Sequence, residues 1–256
     1  LKETLNHYQK TKNNQGRNQL MKIKTLLITA IGAFAVANVN AGEAKMVEEV
    51  VVVEDNASIA VGYNTSYIFR GVNYGDNQVT AQIDYDIPNV PLAVGAWYGN
   101  PIDGRGGNPN GNDELDLYAT LSHSFGAVDA WLGYTAYIYP ESGGGRLGEN
   151  NTNEIGTGIG TAVGPIDLAF SAYYDLDIEG WYFDLTAGHS FAISDMISLD
   201  LSAGISYQVD YNSAGSDFNS ILLVAALPIS LTDTATLTPY IAGNFALDAI
   251  DARQGD

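Results

Sequence analysis

Ala57-Ser58-Ile59-Ala60-Val61-Gly62-Tyr63-Asn64-Thr65-Ser66-Tyr67-Ile68-Phe69-Arg70 is the stretch whose reading decides the fold. Ile59, Val61, Tyr63, Tyr67 and Phe69 fall on one face; Ser58, Gly62, Asn64, Ser66 and Arg70 fall on the other. Successive side chains of a strand point to opposite faces, so this spacing predicts a strand with one apolar and one polar side. After a break at Gly71–Asp76 the rule resumes. Val79, Ala81, Ile83, Tyr85 and Ile87 alternate with Thr80, Gln82, Asp84 and Asp86. Each run is about 11 residues, the length a tilted strand needs to cross the hydrocarbon of a bilayer.

The same unit recurs down the chain. Eleven strands are expected from residue 57, at roughly 57–70, 77–87, 92–99, 114–125, 128–139, 152–163, 166–175, 180–191, 197–210, 217–228 and 235–246. Alternation is strongest around Leu115–Ser122, Trp181–Gly188 and Leu199–Ser206, and weakest at 221–227, which is apolar on both faces. Connections around Pro88–Pro91, Phe125–Ala127, Gly164–Pro165, Ile193–Met196 and Ser230–Thr234 are short. Those at 71–76, 100–113, 140–151 and 211–216 are longer and rich in Gly, Asn and Asp, while 176–179 is brief. Short turns at one end and longer loops at the other are the pattern of bacterial outer-membrane barrels. The expected fold is all-β, a transmembrane antiparallel up-and-down β-barrel. A soluble sandwich or lipocalin would alternate too, with the opposite sense of inside and outside. Eleven is odd, whereas bacterial single-chain barrels have even strand numbers. A twelfth strand is therefore expected beyond Asp256, since an open edge would present unpaired backbone groups to lipid.

Charge and leader agree with export. Residues 21–41 read as a secretory signal: Met21, Lys22 and Lys24, an apolar run from Leu26 to Ala37, and a cleavage site at Val39-Asn40-Ala41. Residues 1–20 are read as an upstream segment without a folded role, 42–56 as a periplasmic lead-in, and 57–256 as the barrel. There is no cysteine, hence no disulfide framework. Six of the 11 Lys and Arg precede residue 42, against one of the 30 Asp and Glu. The remainder is strongly acidic and would repel nucleic acid.

The motifs now on the page resemble a known family. Tyr63-Asn64, Tyr67-Ile68-Phe69-Arg70-Gly71, Glu114-Leu115-Asp116-Leu117-Tyr118, Gly133-Tyr134, Tyr137-Ile138-Tyr139-Pro140 and Asn153-Glu154 stand in an order similar to that of the TorF-like porins of Gram-negative bacteria. The resemblance covers about 57–246 and implies a closed outer-membrane barrel with a pore of undefined substrate. Such proteins end on an aromatic strand, which this sequence lacks at its C-terminus.

With apolar faces toward lipid, the polar faces line the lumen. Arg70, Glu114, Asp116 and Glu154 then fall near one end and point inward, as an ion-pair network or a constriction. A bidentate Arg–carboxylate pair would brace a narrow barrel. Asp84, Asp86, Asp129, Asp184 and Asp200, with Asp167, Asp175 and Asp210, give the lumen an acidic lining. Carboxylate rings favour cations, so a weakly cation-selective channel for small solutes is expected. The alternative is a structural or adhesive barrel whose lumen is plugged by Trp131, Tyr137, Tyr182, Tyr118 and the arginine network. A lipid hydrolase is the enzymatic alternative: His123 and His189 each adjoin a serine (Ser124, Ser190) in the echo Ser122-His123-Ser124-Phe125 and Gly188-His189-Ser190-Phe191. Neighbours on a strand face opposite ways, so these do not form a nucleophile–base pair. Asn108–Glu114 is oxygen-rich without calcium-loop spacing, and Gly143-Gly144-Gly145 lacks a phosphate-loop context. No cofactor or metal is expected. The expected partners are outer-membrane lipid, small solutes or cations and, during export, periplasmic chaperones and the barrel-assembly machinery.

Overall fold

Backbone register in a computed structural model shows how the strands close on themselves. The structure describes residues 47–54, 56–104, 113–140 and 151–250. The leader expected at 21–41, residues 1–20 and the segments holding Asn108 and Gly143 lie outside the described residues. The strands are β1 (Val47–Glu54), β2 (Ala57–Phe69), β3 (Val72–Asp86), β4 (Leu92–Gly104), β5 (Glu114–Phe125), β6 (Val128–Ile138) and β7 (Thr152–Val163). They continue as β8 (Ile166–Asp175), β9 (Gly180–Ala192), β10 (Ser198–Val209), β11 (Asp217–Ala226), the two-residue β12 (Ile229–Ser230) and β13 (Ala235–Ala246). Each long strand pairs antiparallel with its neighbours in chain order. β13 pairs with β11 on one side and with β1 on the other, from Val47↔Tyr240 to Val52↔Ala235. β1 in turn pairs with β2, from Glu48↔Tyr63 to Glu54↔Ala57. With β12 a short flank on β13, twelve strands make the wall of a closed up-and-down barrel.

That closure corrects two expectations. Residues 47–54 are a wall strand and not a lead-in outside the barrel, and they supply the twelfth strand in place of a segment beyond residue 256. The β-branched run Val50–Val53 suits an extended backbone. β2 and β13 would otherwise each present an unpaired edge to lipid, where no water can satisfy it.

The sense of inside and outside is that of a membrane barrel. Ile59, Val61, Ile83, Leu121, Leu132, Ile159, Leu185 and Leu223 are each about half exposed. The most buried side chains include Asn64, Ser66, Gln78, Glu114, Glu154, Asp184, Gln208 and Asn219. A soluble barrel would show the reverse, because polar groups would be left facing water. At 221–227, Ile221 and Leu223 lie on the exposed face. The inner-face Leu222 pairs with Gly204, so its bulk meets a position with no side chain.

Two irregularities shape the end with the longer connections. β2 and β3 stay paired to Phe69↔Val72, so 71–76 is not a loop. The turn is two residues, Arg70 (φ 50°) and Gly71 (φ 80°), both left-handed as a tight hairpin of this kind requires. A Cβ on Gly71 would stand 2.9 Å from Asn219 and from Ile250, so the turn also packs closely. A bulge between Tyr67 and Ile68 shifts the strand's facing. Tyr67, expected toward lipid, is only 4% exposed. β13 ends at this same end, where Ala249 and Ile250 are buried.

Candidate functional site

The arginine of the hairpin turn is the only lysine or arginine among the described residues. Its left-handed backbone points it into the lumen. Nη1 donates to Glu154 Oε2 at 2.6 Å and Nη2 to Oε1 at 3.0 Å, a bidentate pair across the barrel from the β2–β3 turn to β7. The two side chains are 5% and 2% exposed. Tyr137 donates its hydroxyl to Glu154 Oε1 at 3.0 Å. Nη1 also donates to the hydroxyl of Tyr211, at 2.6 Å, from the β10–β11 loop. The guanidinium carbon lies 4.5 to 4.9 Å from the ring centres of Phe69, Tyr173, Tyr182 and Tyr211. A planar, weakly hydrated cation suits such a cage, where ring faces and a carboxylate replace water. Burial pushes the Tyr211 phenol above its ordinary range, so it stays a neutral partner to the arginine.

The four residues expected together divide in their roles. Glu154 alone pairs with Arg70. Glu114, 3% exposed, accepts from Tyr67 Oη at 2.5 Å and lies beside the Asp116 carboxyl. Tyr67 in turn packs against Trp97, ring centres 5.9 Å apart.

The expected acidic lining is not uniform. Asp84 accepts from Tyr118 at 2.5 Å, Gln82 at 2.9 Å and Ser58 at 3.4 Å. Asp129 and Asp200 lie at the end with the short turns and take the hydroxyls of Ser124 and Ser190 at 2.5 and 2.6 Å. Asp86 closes β3 at that same end, half-buried. Asp175 faces the other end, where its Oδ1 caps the backbone of Asp177 and Ile178. Asp184 is mid-strand on β9, 6% exposed. The histidines of the echo sit at the short-turn end. His123 packs edge-on against Phe125 at 4.6 Å and His189 against Phe191 at 4.3 Å, while Ser124 and Ser190 bond aspartates.

Sequence reasoning placed Tyr137 and Tyr182 in the plug. It missed Tyr67, Phe69, Tyr173 and Tyr211. Tyr173 was legible, since alternation along Ile166–Asp175 turns it inward. Tyr67 and Phe69 were not, because a bulge leaves no mark in a period-two pattern. Tyr211 is a loop residue, and no periodicity assigns a loop side chain.

Fold and lumen together define the class: a closed, polar-cored β-barrel with an apolar girdle. The chain belongs to the Gcw_chp family, described as a bacterial protein of unknown function, which matches residues 54–226. No curated protein matches the chain in sequence. Among solved structures it is similar to an anion-selective porin from Comamonas acidovorans (14% identity, TM-score 0.34), covering 78% of this chain and 58% of that one. The chain thus spans little more than half of that porin's length. It is also similar to Pseudomonas aeruginosa OpdK with vanillate (10%, 0.35), covering 77% of this chain and 68% of that one. A third likeness is to the translocator domain of the Neisseria meningitidis autotransporter NalP (13%, 0.36), covering 92% and 98%. At these scores no function is carried over from any of them.

Proposed function

We propose that this protein is an outer-membrane channel for small solutes, narrowed at its long-connection end by the caged Arg70–Glu154 pair. The observation that carries the reading is the polar interior within an apolar exterior. A wall of eight strands is already filled by its own side chains, and twelve strands enclose more than that. The resemblance to TorF-like porins supports the same reading. Short turns belong to the periplasmic side of such barrels, which would set the arginine cage toward the cell exterior. Outer-membrane lipid is then the partner of the girdle, and periplasmic chaperones with the assembly machinery deliver the chain. Asp84, Asp86, Asp129, Asp184 and Asp200 outnumber the single inward arginine, so the channel favours cations.

The test is the reversal potential in a planar bilayer across a potassium chloride gradient. Stepwise conductance with the potential shifted toward the potassium equilibrium value supports the reading, and Arg70→Ala then raises the conductance. A shift toward the chloride value overturns the acidic-filter part and keeps the channel. A second reading is favoured by the packing around the cage: with Tyr182 2% and Ile250 0% exposed, a plugged structural barrel would look the same at this end. Persistent silence from correctly folded protein selects that reading.

A further inference from the structure

Glu114 and Asp116 are two neighbouring acids with no cation of their own. Glu114 opens β5 and is 3% exposed. Asp116, half-buried, stands two residues on and so on the same face of the strand. The two carboxyls lie within hydrogen-bond reach of each other. One oxygen of each, Glu114 Oε1 and Asp116 Oδ1, is sealed from water and has no hydrogen-bond partner among the described residues. Glu114 Oε2 already accepts from Tyr67 at 2.5 Å. Arg70 is engaged by Glu154 through both terminal nitrogens.

The surroundings supply no second positive charge. Register sets Asp116 opposite Trp97 on β4 and Tyr137 on β6. Tyr67 and Arg70 face the pair from β2 and its turn, with Tyr74 of β3 packed on Tyr67. Tyr118 of β5, Tyr139 past the end of β6 and Glu154 of β7 complete the titratable groups around it. Asp113, next in the chain, accepts from Tyr98 on the outer face. Phenols carry no charge at neutral pH. With every acid ionised, the carboxylates of Glu114, Asp116 and Glu154 would share one guanidinium in a space largely closed to water. Buried charge is costly unless it is paired. A metal ion would want several oxygen ligands, and among the described residues no group of three acidic, histidine or cysteine side chains is arranged to hold one. A proton needs no cavity. Placed between Glu114 Oε1 and Asp116 Oδ1, one proton gives both oxygens a partner and removes one of the charges.

We infer that Glu114 and Asp116 are a proton-binding site, the two carboxyls sharing a single proton at neutral pH beside the Arg70–Glu154 pair. The proton belongs to the pair and not to either residue. Its loss leaves two like charges in contact where Tyr67 and Trp97 pack, so the site is an alkaline-sensitive switch at the narrow end of the lumen. It stands whether or not the barrel conducts.

The test uses the full chain in detergent, with heat-modifiable gel migration as the check on folding. Infrared spectra at neutral pH, in water and in deuterium oxide, read the carbonyl stretch of protonated carboxyl groups. The parent should show this band, and D116N and E114Q should each lose intensity from it, because an amide at either place donates an N–H to the remaining carboxylate. Spectra of the parent and both amide variants that superimpose in this region overturn the site. Counting protons is the second readout. A proton held by the folded chain and not by the unfolded chain makes stability fall as pH rises. Across neutral pH the unfolding equilibrium constant of the parent in urea should rise about tenfold more per pH unit than that of D116N, the slope of one proton. Equal slopes overturn the site. If neither amide variant folds, the parent and D184N decide. A protonated-carboxyl band that survives in D184N supports the shared proton, and no such band in the parent overturns it.

Discussion

The two ends of the lumen use the same chemistry in opposite surroundings. At the long-connection end a carboxylate, Glu154, meets a guanidinium and a phenol, all nearly sealed from water. At the short-turn end Asp129 and Asp200 each meet a serine hydroxyl at a similar distance, at exposed sites. The partners are comparable and the solvent is not. A buried ion pair without one member leaves an uncompensated charge, whereas an exposed contact is replaced by water. We read the first end as a structural clasp on that ground. The second works as a charged rim that can be altered without unfolding the wall.

The largest effect is expected from breaking the clasp. Glu154→Ala strands Arg70 in a cage where it is 5% exposed and should cost roughly 3–5 kcal/mol. Urea unfolding of the protein in detergent, followed by gel migration, reads it. Asp129→Ala, in the same assay, should cost less than about 1 kcal/mol. Equal losses from the two would erase the contrast between the ends. Replacing both partners, Arg70→Met with Glu154→Met, should recover much of the loss, because the pair's worth is offset by its desolvation.

Next comes the girdle that both ends share. Leu185 is mid-strand on β9 and 53% exposed. Leu185→Arg should cost roughly 2–4 kcal/mol in lipid vesicles, the range for a cation at the bilayer midplane. A neutral result in vesicles would mean that this face does not meet hydrocarbon, and the comparison would then concern the inside and outside of a soluble barrel.

A smaller effect separates the ring from the hydroxyl in the clasp. Tyr211→Phe keeps the aromatic face over Arg70 and removes the acceptor at 2.6 Å. A hydrogen bond to a charged group is worth roughly 1.5–3 kcal/mol. The loss should lie at the low end, since the guanidinium keeps both bonds to Glu154. A loss as large as that of Glu154→Ala would make the loop, and not the β7 carboxylate, the main partner.

Much of the barrel is legible in the amino-acid order, and the reasons differ by element. Strands from Ala57 onward show themselves because a wall between lipid and a polar lumen enforces period two along most of their length. The segment 47–54 does not, since Val-Glu-Glu-Val-Val-Val-Val-Glu carries no alternation. Its place is set by the edges it fills. Glu154 is legible as an inward group near one end, because parity and the strand end fix it; Arg70 is read inward by the same parity, but the bulge breaks that parity before it and the left-handed turn is what aims it into the lumen. Which acid takes the arginine is not legible. Glu114, Asp116 and Glu154 all fall inward near the same end, and only the three-dimensional path from the β2–β3 turn selects β7. The same limit hides Asp184: parity puts it among several lining acids and cannot show that it lies buried with an oxygen that no donor among the described residues reaches.

The smallest change in stability carries the most about function. Asp129→Asn with Asp200→Asn removes two charges from the short-turn rim and keeps a hydrogen-bonding group at each. Folding stability should move by less than about 1 kcal/mol, the range of an exposed polar contact. The reversal potential should nevertheless shift toward zero, because two carboxylates at a mouth raise the local concentration of cations over about one Debye length, roughly 10 Å at 0.1 M salt. Raising the salt to 1 M should shrink the difference between the double variant and the parent, as the Debye length falls to about 3 Å. A shift that survives high salt would point away from the rim and toward a buried filter. Asp184, buried inside the barrel and little screened by salt, would be the residue to change next.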